Sequence, residues 1–186
     1  MDRTLKLAPV NLIFNAAFAI YNIVSGVVAG SWWLLTLGSY YLGLSLMRFF
    51  AIKSKRQTAG KAAGIMLMVL SLSLVGTVIL SVIRDRGYKL HMIIMIAMAA
   101  YAFGKITVAA VDFAKARKKA SAKIVTLRNI SFADAFVSIF ALQRSMLVSF
   151  EGMTAEEIQI MNASLGSGVC VVVFLLGLDL VRRRGI

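Results

Sequence analysis

Long apolar stretches, separated by short polar or basic connections, divide the chain into six segments. The range Leu7–Met47 holds forty-one consecutive residues without a charged side chain. A helix needs about 20 apolar residues to cross a hydrocarbon core about 30 Å thick, so this range is long enough for two crossings. The pattern predicts an all-α polytopic membrane protein, a single domain over 1–186 with six transmembrane helices at residues 7–29, 32–52, 62–83, 90–111, 129–150 and 158–178.

Local signals mark two of the helix ends. The sequence GVVAGS (Gly26–Ser31) predicts a tight turn between the first two segments. Thr154 and Glu157 have the spacing of a capping box, which predicts that the sixth helix begins directly after Thr154.

Composition and charge support this class and add an orientation. The chain is 60% hydrophobic and only 16% charged, against about 25% charged in soluble domains. Most of its net charge of +13 lies in the connections on one side of the six crossings. By the positive-inside rule, both termini are cytoplasmic and the protein is multi-pass in the cell (plasma or inner) membrane.

The same topology removes the need for a nucleic-acid partner, since the positive charge lies between apolar segments. The basic loops are instead expected to attract anionic lipid head groups, at about 1 kcal/mol per residue. The residues assigned to these lipid contacts are Lys53, Lys55, Arg56, Lys115, Arg117, Lys118 and Lys119.

A weak internal similarity suggests a duplication. The range Ala17–Ala29 aligns with Ala97–Ala109, which matches Tyr21 with Tyr101. Halves of three helices each would face opposite ways across the membrane, as in the 3+3 inverted-topology repeats of secondary transporters. The alternative is that apolar segments resemble one another through composition alone.

Two charged residues inside apolar segments give the main candidate site. Helical spacing places Tyr101 and Lys105 on one face of segment four, and Asp134 and Ser138 on one stripe of segment five. A charge in the membrane costs a few kcal/mol unless it is paired or hydrated, so we expect Lys105 to contact Asp134. The pair could couple a substrate to proton movement; the alternatives are a structural ion pair or a Lys105 that extends to the nearby surface.

Further polar residues extend this candidate site. Asn15 and Asn22 share a face of segment one, which must therefore look into the bundle. Arg144 could hold an anionic group in an outer vestibule, although extension towards the outer surface is favoured. Arg48 can likewise extend towards water, and it shares a face of segment two with Tyr41 and Ser45, which implies a polar bundle interior. The predicted solute or ion path comprises Lys105, Asp134, Tyr101, Asn15, Asn22, Ser138 and Arg144.

Several chemistries have no residues to carry them. The chain contains no phosphate loop, no HExxH motif and no cysteine–histidine cluster, and it has one histidine, His91, and one cysteine, Cys170. We therefore expect no enzyme activity, no metal site and no cofactor.

The hypothesis that remains is a small integral membrane transport protein, a secondary transporter or channel-like, for a small polar solute or ion. The alternative is a non-catalytic membrane subunit or scaffold that docks to a larger complex through small-residue faces and basic loops. Such faces occur at Gly26–Gly30, Gly60–Gly64 and Ser164–Gly168. A third hypothesis is a lipid-binding protein, and any of the three could form a homodimer.

Overall fold

The computed structural model describes residues 3–53, 58–83, 92–114, 121–149 and 152–182, and all the regular secondary structure in these ranges is helical. Each helix corresponds to one predicted segment, so the prediction of an all-α polytopic membrane protein is confirmed. The helices are α1 (Arg3–Ala29), α2 (Trp32–Lys53), α3 (Thr58–Ile83), α4 (Met92–Ala114), α5 (Ala122–Ser149) and α6 (Ala155–Arg182).

Five of these helices are long and apolar enough to cross a membrane, and α4 contributes a shorter apolar stretch, Met98–Val111. Large apolar side chains stay exposed on the outside of the bundle, among them Ile13, Val28 and Leu72. In water such a surface would drive association, whereas in lipid it is the expected outer surface of the fold.

Helix α5 begins at Ala122, seven residues before the predicted boundary at 129. A helix can continue into polar sequence beyond its apolar segment, because its backbone hydrogen bonds are made internally. Asp134 therefore lies twelve residues, or about 18 Å, from the start of its helix. It is close to the middle of α5 and deeper along the helix than the sequence suggested.

Both predicted helix-end motifs are confirmed. Gly30 has a φ of 62°, and the Ser31 amide donates to the Gly26 carbonyl at 2.9 Å, which closes α1 in a Schellman turn. At the start of α6 the Thr154 amide donates to the Glu157 carboxylate at 2.8 Å, and the Glu157 amide donates to the Thr154 hydroxyl at 3.3 Å.

Helix α5 is the centre of the bundle. It packs against all five other helices and has the largest buried share of the five long apolar spans. Its contacts with α2 are antiparallel, because Tyr41 reaches Ser138 while Arg48 reaches Ser131. Asp134 and Arg144 of α5 are thus held inside the protein rather than at its outer surface.

Helices α3 and α6 have the most extensive contact and approach closely at glycines. A Cβ atom on Gly64 would lie 2.7 Å from the Gly177 carbonyl oxygen, and one on Gly177 would lie 2.8 Å from the Gly64 carbonyl oxygen. Neither position can accept a side chain without moving the helices. The small-residue face at Gly60–Gly64 therefore packs, through Gly64, within the chain.

Candidate functional site: a buried ion-pair network

The carboxylate of Asp134 receives donors from three other helices. Its Oδ1 accepts a hydrogen bond from Lys105 Nζ of α4 at 2.5 Å. Its Oδ2 accepts hydrogen bonds from Asn15 Nδ2 of α1 at 2.7 Å and from Arg48 Nη2 of α2 at 3.4 Å. The predicted contact between Lys105 and Asp134 is confirmed, and it belongs to a network that joins four helices.

Lys105 uses all three of its ammonium donors inside this network. Besides Asp134, it donates to Asn15 Oδ1 at 2.8 Å and to Ser138 Oγ at 3.2 Å. Its Nζ also lies 4.2 Å from the centre of the Tyr101 ring and 4.9 Å from that of Tyr41, a geometry that favours a cation. With 9% of its side chain exposed, Lys105 does not extend to the surface, and that alternative is wrong.

Asn15 connects α1 to the ion pair. It is fully buried halfway along α1, donates to Asp134, and accepts from both Lys105 and the Tyr101 hydroxyl, the latter at 3.0 Å. The Tyr101 ring packs against Phe18, with ring centres 5.6 Å apart. Helices α1 and α4 thus meet through side chains that belong to the network or surround it.

Ser138 and Tyr41 complete the side of the network that faces α2. Ser138 lies one turn after Asp134, donates to the Asp134 carbonyl at 2.8 Å and is hydrogen-bonded to the Tyr41 hydroxyl at 3.0 Å. Since Ser138 has a single proton and it is given to the carbonyl, Tyr41 is the donor in the second bond. The hydroxyls of Ser138 and Tyr41 therefore each have a defined role.

Sequence reasoning left Arg48 out of the candidate site, although it placed the residue on one face of α2 with Tyr41 and Ser45. Only 1% of this residue is exposed, and its Nη2 donates to Ser131 at 3.2 Å as well as to Asp134. The expectation that Arg48 extends to water is wrong, because α2 continues past it to Lys53 and the side chain faces α5. The signal was its spacing from Tyr41, seven residues or about two turns away on the same face.

Two of the predicted path residues lie outside the network. Asn22 is buried, but its amide donates at 2.7 Å to the Phe18 carbonyl of its own helix. Arg144 donates to the Ser81 carbonyl of α3 at 3.1 Å and lies 4.7 Å from the centre of the Trp33 ring. At 3% exposure Arg144 does not extend outward as expected, and it is ten residues from Asp134, about 15 Å along α5.

Of the residues assigned to lipid head groups, Lys53 is exposed at the end of α2, with its Nζ 5.7 Å from the centre of the Phe49 ring. This position is compatible with a head-group contact. The other six lie outside the described residues: Lys55, Arg56, Lys115, Arg117, Lys118 and Lys119.

The network holds two cationic side chains, Arg48 and Lys105, and one carboxylate, Asp134. Two cations make this an unfavourable place for a metal ion. Within the ranges that the structure describes, no group of three or more His, Cys, Asp or Glu side chains could hold one. What the site offers chemically is a set of hydrogen bonds and ion pairs around one carboxylate.

Comparison with protein-family models, with curated proteins and with solved structures finds no match for this chain.

Proposed function

We propose that the chain is a small membrane transport protein and that the network around Asp134 handles the transported solute or ion. One observation carries the proposal: α1, α2, α4 and α5 each place a polar side chain on a single ion-pair centre midway along α5. Helix packing does not need such a centre, since apolar residues of similar volume often pack at least as stably. Ionisable residues within membrane spans are most often functional.

The network gives a mechanism by which a solute changes the conformation of the protein. Lys105 and Asn15 bind Asp134 and each other, so they connect α4 and α1 to α5 through the same carboxylate. A solute that takes the place of one of these partners weakens the connection between helices. Binding then shifts the population between two arrangements of the bundle, as alternating access requires.

Flux across proteoliposomes containing the purified protein tests this proposal. Lys105→Met and Asp134→Asn should each lower the rate of uptake at least about tenfold, which is the effect of losing about 1.4 kcal/mol of binding or barrier stabilisation. Thr107→Val is the matched control on α4, since Thr107 is exposed and hydrogen-bonded to its own helix.

Unchanged flux in folded Lys105→Met and Asp134→Asn proteins would remove the network from the transport path. If the wild-type protein moves no solute in a panel of ions, amino acids and organic acids, the transport proposal itself fails.

One observation supports the alternative hypothesis of a docking subunit. Ser164 and Gly168 lie on an exposed face of α6, and a Cβ on Gly168 would meet nothing within 4 Å. Gly26 and Gly64, by contrast, pack within the chain. A partner that co-purifies stoichiometrically and is lost on Gly168→Leu, with flux absent throughout, would favour the subunit over the transporter.

For orientation we propose that both termini are cytoplasmic, in the cell membrane. Support comes from the basic connections and from the antiparallel packing of α1 on α2, of α2 on α5 and of α5 on α6. This packing puts the start of α1 and the end of α6 at the same end of the bundle. In a Cys170→Ala background, an impermeant thiol reagent added outside intact cells should label Met153→Cys and not Lys118→Cys. The reverse pattern would invert the assignment.

A 3+3 inverted repeat also remains part of the proposal. Its support is the sequence similarity of Ala17–Ala29 to Ala97–Ala109, since α5 contacts α1 and α3 without equally extensive counterparts between α2 and α4 or α6 among the described residues. Spin-label distances between α1 and α4 should then change on solute binding while those within each half stay constant. Movement confined to a single helix would contradict two halves that move as units.

A further inference from the structure

The buried network around Asp134 is unbalanced in charge. Arg48 and Lys105 are both cationic groups with side chains 1% and 9% exposed, and the single carboxylate of Asp134 is 3% exposed. One positive charge is therefore left without a counter-charge among the described residues of the network. Leaving a charge uncompensated in such surroundings costs several kcal/mol.

The excess charge has a defined location, at the guanidinium of Arg48. Both of its hydrogen bonds are made by Nη2, to Ser131 and Asp134. Its Nη1 is buried and has no hydrogen-bond partner. A guanidinium presents parallel N–H donors that suit the oxygens of an anion. In Arg48 the Nη1 donors are left for such a ligand.

A second donor lies beside it. The Ser131 hydroxyl accepts the hydrogen bond from Arg48 Nη2 at 3.2 Å and donates its own proton to no described residue. The three donors of Lys105 are already used by Asp134, Asn15 and Ser138. Arg48 Nη1 and the Ser131 hydroxyl, on adjacent helices, are thus donors that remain for a ligand.

From this charge balance and these donors we infer that the network binds a small monovalent anion, a halide or a short monocarboxylate, beside Arg48 and Ser131. The inference rests on the proposed transport function, because it names the class of solute that the site would carry. One negative charge neutralises the network, whereas a divalent anion would reverse the imbalance. A metal cation would increase it.

Thermal unfolding of the purified full-length protein tests this inference. The midpoint temperature is measured against rising sodium chloride, sodium formate and sodium acetate, with sodium sulfate at matched ionic strength and choline chloride as a change of cation. A ligand that binds only the folded state raises the midpoint in a saturable way. Chloride or at least one monocarboxylate should do so whatever the cation, and sulfate should not.

Variants of Arg48 separate the buried site from general salt effects. Arg48→Lys keeps the positive charge but loses the parallel N–H donors of the guanidinium, so anion binding should weaken about tenfold or more. Ser131→Ala, which removes the second donor, should weaken it less. Lys53→Met is the control, since Lys53 is an exposed cation on the same helix and its loss should leave the anion response unchanged.

Equal stabilisation in the wild type and Arg48→Lys would overturn the inference, and so would stabilisation that follows ionic strength whatever the anion. A lipid phosphodiester also carries one negative charge, so one series adds phosphatidylglycerol to protein in an anion-poor buffer. If that lipid alone gives the Arg48-dependent response, a small soluble anion is not the ligand. If Lys105 is deprotonated instead, the network is neutral without a ligand and no anion will stabilise it.

The flux assay distinguishes failure of this inference from failure of the transport proposal. Anion-dependent, Arg48-dependent stabilisation without any flux supports the anion site and removes transport. Flux of a cation or a neutral solute that is lost in Lys105→Met, without any anion response, supports transport and overturns the anion site.

Discussion

The pairs α2–α5 and α3–α6 both pack antiparallel across the bundle, yet they associate in different ways. Between α2 and α5 the contact is polar, since Arg48 and Tyr41 hydrogen-bond to side chains of α5. Between α3 and α6 it is a close approach of backbones at Gly64 and Gly177. In a membrane, where apolar burial between helices gives little driving force, these are two of the available means of association.

The two kinds of helix contact differ in how easily they can rearrange. A glycine contact is fixed by shape, because any added atom collides with a backbone carbonyl. A hydrogen-bonded ion pair can change partners without a change of volume, provided that another donor or acceptor takes the vacated place. We therefore expect the contact of α3 with α6 to stay in place as a pivot between the two halves, and the groups around Asp134 to be the part that rearranges.

The largest expected effect follows from removing the central carboxylate. Asp134→Asn leaves Arg48 and Lys105 buried without their counter-charge, and should lower the free energy of unfolding by about 3–5 kcal/mol. Adding Lys105→Met should restore part of this loss, because one of the two buried charges is removed. Reversible unfolding in mixed detergent measures both.

If the double variant loses as much as the sum of the two single variants, the groups are not coupled. The ion pair between Lys105 and Asp134 would then not be what associates α4 with α5.

An intermediate effect tests the close-packed pair. Gly64→Ala places a methyl group 2.7 Å from the Gly177 carbonyl oxygen, so the helices must separate, at a cost of about 1–3 kcal/mol. Gly76→Ala, on the same helix, meets nothing within 4 Å and should cost nothing. The same unfolding measurement compares the two, and equal stability of both variants would show that the close approach is unimportant.

The smallest effect should come from the edge of the polar network. Tyr41→Phe removes the hydrogen bond to Ser138 and should cost about 0.6 kcal/mol, the average for a hydrogen bond between membrane helices. Ser39→Ala is the control on α2, since the Ser39 hydroxyl bonds only within its own helix among the residues described. A loss above about 2 kcal/mol for Tyr41→Phe would mean that the groups around Asp134 are held too firmly to exchange partners easily.

The sequence was sufficient for the class of fold and for the centre of the candidate site. Lys105 and Asp134 could be paired because charged residues are rare inside apolar segments and each needs a partner. Arg48 could not be assigned in this way. A cation near the end of an apolar segment can face either water or a neighbour, and only the packing of α2 against α5 decides between them.

Two other differences between the sequence-based predictions and the structure also have local physical reasons. The start of α5 at Ala122 was missed because Lys123 and Arg128 interrupt the apolar sequence there. Asn22 shares a face with Asn15 yet bonds to its own helix, since an asparagine amide can reach a carbonyl one turn earlier. The central place of α5 was not predictable, because the order in which helices surround one another depends on tertiary contacts.

The separation of Arg48 and Asp134 in sequence has a consequence for how the protein is made. The two residues are 86 positions apart, so α2 is synthesised long before its counter-charge exists. Until α5 follows, an arginine within a nascent span costs up to about 2.5–3.5 kcal/mol, so α2 should wait beside the insertion machinery. Arg48→Leu should therefore improve membrane insertion of α2 in arrested, α5-less chains. An unchanged yield of inserted α2 in those chains would show that Arg48 is already neutralised by other means.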